Sequence, residues 1–323
     1  MYARRTTLAE HRFRLGPAAS LALPFWWVYS SAQAEPAIGQ FELKTLESAS
    51  GRLEFQSQNA WSWRHPPRRI AATPDGIVFD ENEAVRARHA LEVEVGLTRT
   101  LKMRVGVEFE RERIEEPPSI HEANAFDDLS LTELGAEIIV VLSAREGDGG
   151  GFGLVAELEH ALDREDPNRI VLGGVMEWRS GRWFAAAIPM LVHDFGGEPD
   201  EGEKADDKWD FGYAAQLKYT LSERWSLALE GYGVVERLGR TGRPSEAARL
   251  FGDFDQHRLG PVLYYTRDFG ASRDQQATAG SALSSPTSEN ENGVSLSIGL
   301  GLLEGLNSNT ADHTLKLSIE VDF

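Results

Sequence analysis

From His313 to the final residue, the side chains alternate between apolar and polar without a break. His313, Leu315, Leu317, Ile319, Val321 and Phe323 fall on one parity; Thr314, Lys316, Ser318, Glu320 and Asp322 fall on the other. A two-residue period is that of a β-strand, whereas a helix would scatter these charges around its circumference. The strand has one apolar face and one charged face, and the two must meet different surroundings. Lipid on one side and a lumen on the other satisfy both. That assignment requires more strands of the same kind until the sheet closes on itself and leaves no edge.

Such strands recur along the chain. Leu53 to Trp63 alternates more weakly and ends in Trp61 and Trp63. Leu91, Val93, Val95 and Leu97 oppose Glu92, Glu94, Gly96 and Thr98. After the tight link Arg99-Thr100, Leu101, Met103, Val105, Val107 and Phe109 oppose Lys102, Arg104, Gly106, Glu108 and Glu110. Further strands are expected over 127–143, 152–162, 170–179, 182–194, about 212–221, 225–232, about 254–269, 294–302 and the final 312–323. The Pro-containing stretch 65–85 reads as a loop. The expected fold is therefore all-β, a closed antiparallel transmembrane barrel of about twelve strands. Fourteen is the alternative if the polar, low-complexity segment 270–292 hides two more, and whether that segment plugs the lumen from below is left open. Long and tight links mostly alternate, as in barrels with long outer loops and short periplasmic turns. Pro189 and Pro261 fall inside strands, where each removes a ladder donor, so bulges or kinks are expected there.

Composition fits this fold. The chain has 323 residues, 41% of them hydrophobic, and no cysteine. The absence of cysteine excludes a disulfide scaffold, a thiolate zinc site and a cysteine nucleophile. Mean hydropathy is −0.35, a value that half-polar barrel strands share with soluble proteins. Residues 1–34 read as a secretory signal. Arg4, Arg5, Arg12 and Arg14 precede an apolar run from Ala18 to Tyr29, and Ala32-Gln33-Ala34 fits a cleavage site. That segment holds four of the 33 basic residues and one of the 51 acids, so the barrel domain expected over 35–323 carries 29 bases and 50 acids, a formal charge of −21. Such a field excludes nucleic-acid binding.

The last eight residues, Lys316 to Phe323, resemble the C-terminal assembly signal of bacterial outer-membrane barrels. Lys316, Val321 and Phe323 fit that signal, and Ser318 stands where glycine is usual. The hairpin layout over 35–323 resembles small-channel barrels, among them the MetA-pathway phenol-degradation type transporter family. Leu259-Gly260-Pro261 and Gly301 to Leu306 carry that likeness. The resemblance implies a bacterial outer-membrane location reached through the periplasm, insertion by the barrel-assembly machinery, and a transport role.

Enzymatic alternatives leave a different mark. Outer-membrane phospholipases and deacylases place His and Ser two residues apart on one strand face, and no histidine here has Ser two residues on. Protease-like pairs are suggested by Asp127-Asp128, His193-Asp194 and Asp206-Asp207, but adjacent residues on a strand point to opposite faces. No catalytic, cofactor or metal residue is assigned. The acidic stretch from Glu198 to Asp207 lacks the spacing of an EF-hand; it reads as a solvated loop that divalent cations could bridge to lipopolysaccharide.

The expected lumen face carries Glu54, Gln56, Glu92, Glu94, Lys102, Arg104, Glu108, Glu110, Glu157, Glu159, Glu177, Arg179, Gln216, Lys218, Glu230, Tyr232, Lys316, Glu320 and Asp322. Acids outnumber bases, and charges removed from bulk water must be hydrated or paired. The expected function is passive passage of small solutes through this mostly acidic lumen. A plugged structural barrel and an outer-membrane hydrolase of lipase or protease type are the alternatives.

Overall fold

The computed structural model describes residues 41–63, 69–73, 76–79, 84–112, 128–145, 147–163, 166–197, 207–235, 238, 256–269, 293–307 and 310–323. The expectations for 1–34 and 270–292 lie outside these residues. Fourteen strands are present: β1 (Leu53–Trp63), β2 (Arg69–Thr73), β3 (Gly76–Phe79), β4 (Ala84–Gly96), β5 (Leu101–Glu112), β6 (Ser130–Ser143), β7 (Gly149–Ala161), β8 (Asn168–Ser180), β9 (Trp183–Phe195), β10 (Lys208–Thr220), β11 (Trp225–Val235), β12 (Gln256–Phe269), β13 (Val294–Gly305) and β14 (His313–Asp322).

Twelve of them form one closed antiparallel barrel, in which β1 pairs with both β4 and β14. Closure joins the two ends of the barrel sequence: Phe55 faces Val93 on one side and Val321 on the other. The Phe323 amide donates to the Leu53 carbonyl at 2.8 Å, so the alternating terminal strand completes the wall. The remaining two strands, β2 and β3, pair with each other. They fall in the stretch read from sequence as a loop. β4 also begins at Ala84, earlier than its apolar alternation suggests. Its outward positions there, Ala87 and His89, are too weakly apolar to mark a lipid face.

The large exposed side chains are apolar and lie on the outward parity, among them Leu91, Val105, Ile138, Leu154, Leu172, Leu217, Leu229, Leu263 and Leu300. A continuous apolar belt of this extent is foreign to a water-exposed surface. Aromatic pairs ring its two ends. Trp183 packs on Tyr219 at 4.8 Å and Trp225 on Tyr265 at 4.9 Å beside the tight turns; Trp61 meets His89 and Trp209 stacks on His193 at the opposite rim.

Of the bulges or kinks expected at the two strand prolines, no register shift is present, but the ladder skips each proline on one flank. Pairing of β8 with β9 steps from Gly173↔Met190 to Met176↔Ala187 in the same register, and β12 with β13 steps from Leu259↔Glu304 to Val262↔Gly301. Each proline keeps its partner on the other flank, Tyr213 for Pro189 and Leu229 for Pro261. Glycine makes the close approach possible: a Cβ at Gly173 would stand 2.7 Å from the Pro189 carbonyl oxygen, and one at Gly260 would stand 2.0 Å from that of Leu302. The register shifts in the barrel fall instead at Ser62/Trp63, Glu108/Phe109 and Val141/Ser143.

Candidate functional site

The barrel interior is occupied by a segment that precedes the first strand. Residues 41–51 form a strap that runs through the interior and turns into β1 at Gly51, whose φ of 83° suits glycine. Phe41 packs on Tyr232 at 5.4 Å and lies under the Arg258 guanidinium at 5.2 Å. Leu46 fills a slot left by Gly151 and Gly153, where a Cβ on Gly153 would meet its Cδ2 at 2.6 Å. The Leu46 amide donates to Glu177 Oε1 at 2.7 Å. At the tight-turn rim, Ser48 Oγ donates to the Thr98 carbonyl at 2.7 Å.

Charge holds the strap as firmly as packing does. Lys44 is buried among Glu137, Glu157 at 3.4 Å and Glu42 at 3.5 Å, and Glu42 is paired with Arg104. Burial alone would push the Lys44 ammonium toward neutrality. The Glu137 and Glu157 carboxylates outweigh it and hold the group well above the ordinary lysine range. Arg52, at the strap's foot, loses solvation too, but its hydrogen bond and charge contact with Asp322 at 2.9 Å raise its pKa.

The wall facing the strap, from β4 to β8, is a lattice of acids and bases. Glu94 accepts from Lys102 and from Arg104, each at 2.8 Å. Arg86 and Arg88 hold Glu110 at 2.5 and 2.9 Å, and Arg88 lies 3.7 Å from Glu108. Arg169 binds Glu159 at 2.7 Å, Asp194 at 2.9 Å and Glu133 at 3.4 Å. Glu92 is held more loosely: its Oε2 accepts no hydrogen bond and is ion-paired with Arg104 Nη1 at 3.6 Å.

Across the barrel, Glu230 is in the opposite condition. It is fully buried and accepts from Lys316 at 2.8 Å, Tyr232 at 2.5 Å, Gln216 at 2.6 Å and Tyr264. Near the tight-turn rim, three cations surround one ring: Lys218 at 4.9 Å, Arg179 at 5.6 Å and Arg145 at 6.0 Å from the centroid of Phe184. At the seam between first and last strands, one carboxylate oxygen from each of Glu54, Glu320 and Asp322 lies within 4.8 Å of the others.

Of the side chains expected on the lumen face, most are buried, and Glu110, Glu157, Arg179, Lys218, Glu320 and Asp322 are partly exposed; the interior is not charged throughout. Along the middle of β8, β9 and β10 it is apolar, with Val171, Val175, Ile188, Met190, Val192 and Ala214 forming one cluster with Phe41 and Leu46. In these strands both parities are apolar, so alternation could not separate inside from outside. Sequence reasoning missed Glu42 and Lys44, which belong to no strand and carry no period. It also missed Glu133, Glu137, Arg86, Arg88 and Arg169. For Glu133 and Glu137 the signal was present, since they interleave with the outward Leu134, Ala136 and Ile138. The pair His193-Asp194 divides as strand geometry requires: His193 stacks on Trp209 at 4.2 Å in the aromatic rim, and Asp194 turns inward to Arg169 and Lys208.

No family model matches the chain, and no curated protein is significantly similar in sequence. Solved structures are similar in fold. The COG4313 outer membrane channel from Pseudomonas putida F1 aligns over 90% of this chain and 100% of its own, with 11% identity and a TM-score of 0.54. The KdgM porin in complex with disordered oligogalacturonate aligns over 84% of this chain and 98% of its own, with 6% identity and a TM-score of 0.40. The likeness to the COG4313 channel shows the fold alone, an outer-membrane type of barrel, and none of these comparisons shows the MetA-pathway transporter family.

Proposed function

We propose that this chain is a channel of a bacterial outer membrane that passes small solutes down their gradients, with a preference for cations. One observation carries the reading: a closed barrel turns an apolar belt with aromatic rims outward and keeps a lattice of paired acids and bases inside. A barrel interior rich in charge is stable only with water, paired ions or a guest. Likeness to the COG4313 channel agrees with that use of the fold. In this reading Glu92, Glu94, Glu108, Glu110, Glu157 and Glu159 set the preference of the path, and the strap narrows it. The tight-turn rim faces the periplasm, the signal over 1–34 directs export, and Phe323 is the residue read by the barrel-assembly machinery. Lipopolysaccharide surrounds the opposite rim.

Planar-bilayer recording of refolded protein tests this directly. Discrete conductance steps in simple salts are expected. Folded protein that inserts and carries no current at any salt concentration would sink the channel reading.

A further inference from the structure

Beyond the channel reading, and independent of it, we infer that the tight-turn rim of the lumen holds a binding site for a small oxyanion, taken by its carboxylate or phosphate group. The site is built across β8, β9 and β10. Phe184 pairs with Arg179 on one flank and with Lys218 on the other, so the three share one rung of the ladder. They also share the inward parity of Val175, Ile188 and Ala214 on the same strands. Arg145 joins them from just past the end of β6, and all three cationic centres lie within 6.0 Å of the Phe184 ring centroid.

Arg179 and Lys218 stand apart from the cations of the charged lattice. Lys102, Arg104, Arg169 and Lys316 each hold a carboxylate at 2.7 or 2.8 Å. Among the described residues neither Arg179 nor Lys218 makes a hydrogen bond or an ion pair. Arg179 meets only Phe184, and Lys218 meets only Phe184 and, at 5.6 Å, Tyr264. An aromatic face attracts a cation without cancelling its charge. The acids nearby are engaged elsewhere. Glu177 accepts from the Leu46 amide at 2.7 Å and lies 3.6 Å from Arg145. Glu47 lies 3.4 Å from Arg145 and 3.8 Å from Arg52, and Asp148 accepts from the Gly181 amide at 3.0 Å. Glu320 and Glu230 act on Lys218 only through charge at longer range. In a chain with a large excess of acid, this is a place where positive charge exceeds its acceptors.

The arrangement also selects the guest. Arg179, Phe184 and Lys218 are partly exposed, so a solute in the lumen reaches them. The two cations rise from strands roughly 10 Å apart and lean over the ring between them. A guanidinium fork takes two oxygens in one plane, and an ammonium takes another as a point charge. A carboxylate or phosphate offers two or more such oxygens, whereas chloride offers a single centre that makes no use of the fork.

Isothermal titration of the refolded full barrel in micelles at low salt tests the site, with succinate in one arm and inorganic phosphate in the other. One oxyanion per barrel is expected to bind, and the arm that binds more tightly identifies the group the site takes. Lys218→Met and Arg179→Gln should each weaken that binding about tenfold or more. Both should fold as wild type, because neither cation holds an acid. Arg224→Gln removes an exposed charge from the neighbouring tight link and should leave binding unchanged. Absence of binding in both arms to folded wild type would overturn the site, as would unchanged binding in Lys218→Met and Arg179→Gln. Equal weakening by Arg224→Gln would overturn it too, by revealing a diffuse field, and so would one-for-one displacement by equal chloride. The titration measures no current, so its failure leaves the channel reading intact, and a silent bilayer leaves this site standing.

Discussion

Glu230 and Glu92 are the same residue type, both on the barrel's inner face and both out of bulk water, yet their surroundings are opposed. Glu230 accepts hydrogen bonds from four side chains, and its charge is matched by Lys316. Glu92 Oε2 accepts none and is ion-paired at 3.6 Å with Arg104, which also serves Glu94. The first arrangement ties β10, β11, β12 and β14 together as a strut. The second is a looser arrangement, an acid held in the β4–β7 wall by charge, with no hydrogen bond to its Oε2. Burial of an acid is therefore no guide to its role here; the donors around it are.

The sharpest way to break this contrast is to remove the partner of the satisfied acid. Lys316→Met leaves Glu230 charged and buried without its cation, and should cost about 3–5 kcal/mol in urea unfolding followed by tryptophan fluorescence. A loss under about 1 kcal/mol would mean the strut is not what holds that side. Lys44→Met should come next. It strands Glu137 and Glu157 and should weaken strap docking by roughly 3 kcal/mol, seen as increased mobility of a spin label at Ala49→Cys in this cysteine-free chain. An unchanged spectrum would show that Leu46 and Phe41 suffice to hold the strap. Glu92→Gln should be neutral or stabilising by about 1 kcal/mol or less, because the ion pair it removes spans 3.6 Å and involves an arginine that Glu94 also holds. A marked loss of stability would place Glu92 with Glu230 as a structural acid.

The smallest effect expected concerns pH. Lys44 gains partners on folding, so its pKa is raised, and the docking energy it supplies is fully present below the unfolded value of about 10.4. That energy is lost only as pH rises through the still higher folded value. On Lys44's account the label at Ala49→Cys should keep the same mobility from neutral pH to about 10 and loosen only in stronger alkali. Loosening just above neutrality would contradict the assigned direction.

Much of the barrel was legible because its rule is local. Each lipid-facing residue is followed by an inward one, so β5 and β14 declared both their type and their faces. Twelve strands followed from counting such stretches. The rule failed where the interior itself is apolar. In β9, Ala186, Ile188, Met190 and Val192 face inward against the strap, and no alternation distinguishes them from Leu191 on the lipid side. It failed again at the strap, whose ion pairs join residues roughly a hundred positions apart in sequence, such as Lys44 and Glu137, with no spacing to betray them. The prolines misled in another way. Sequence shows the missing donor but not the glycines across the ladder that let the backbone close without a bulge.

The central claim is that the acidic interior is a cation-preferring path. Reversal potential across a planar bilayer with a salt gradient tests it most directly, comparing wild type with a variant carrying Gln at 92, 94, 108 and 110. The account predicts a potential of the cation-selective sign that moves toward zero in the variant. A potential of the anion-selective sign, or one that the four substitutions leave unchanged, would contradict it.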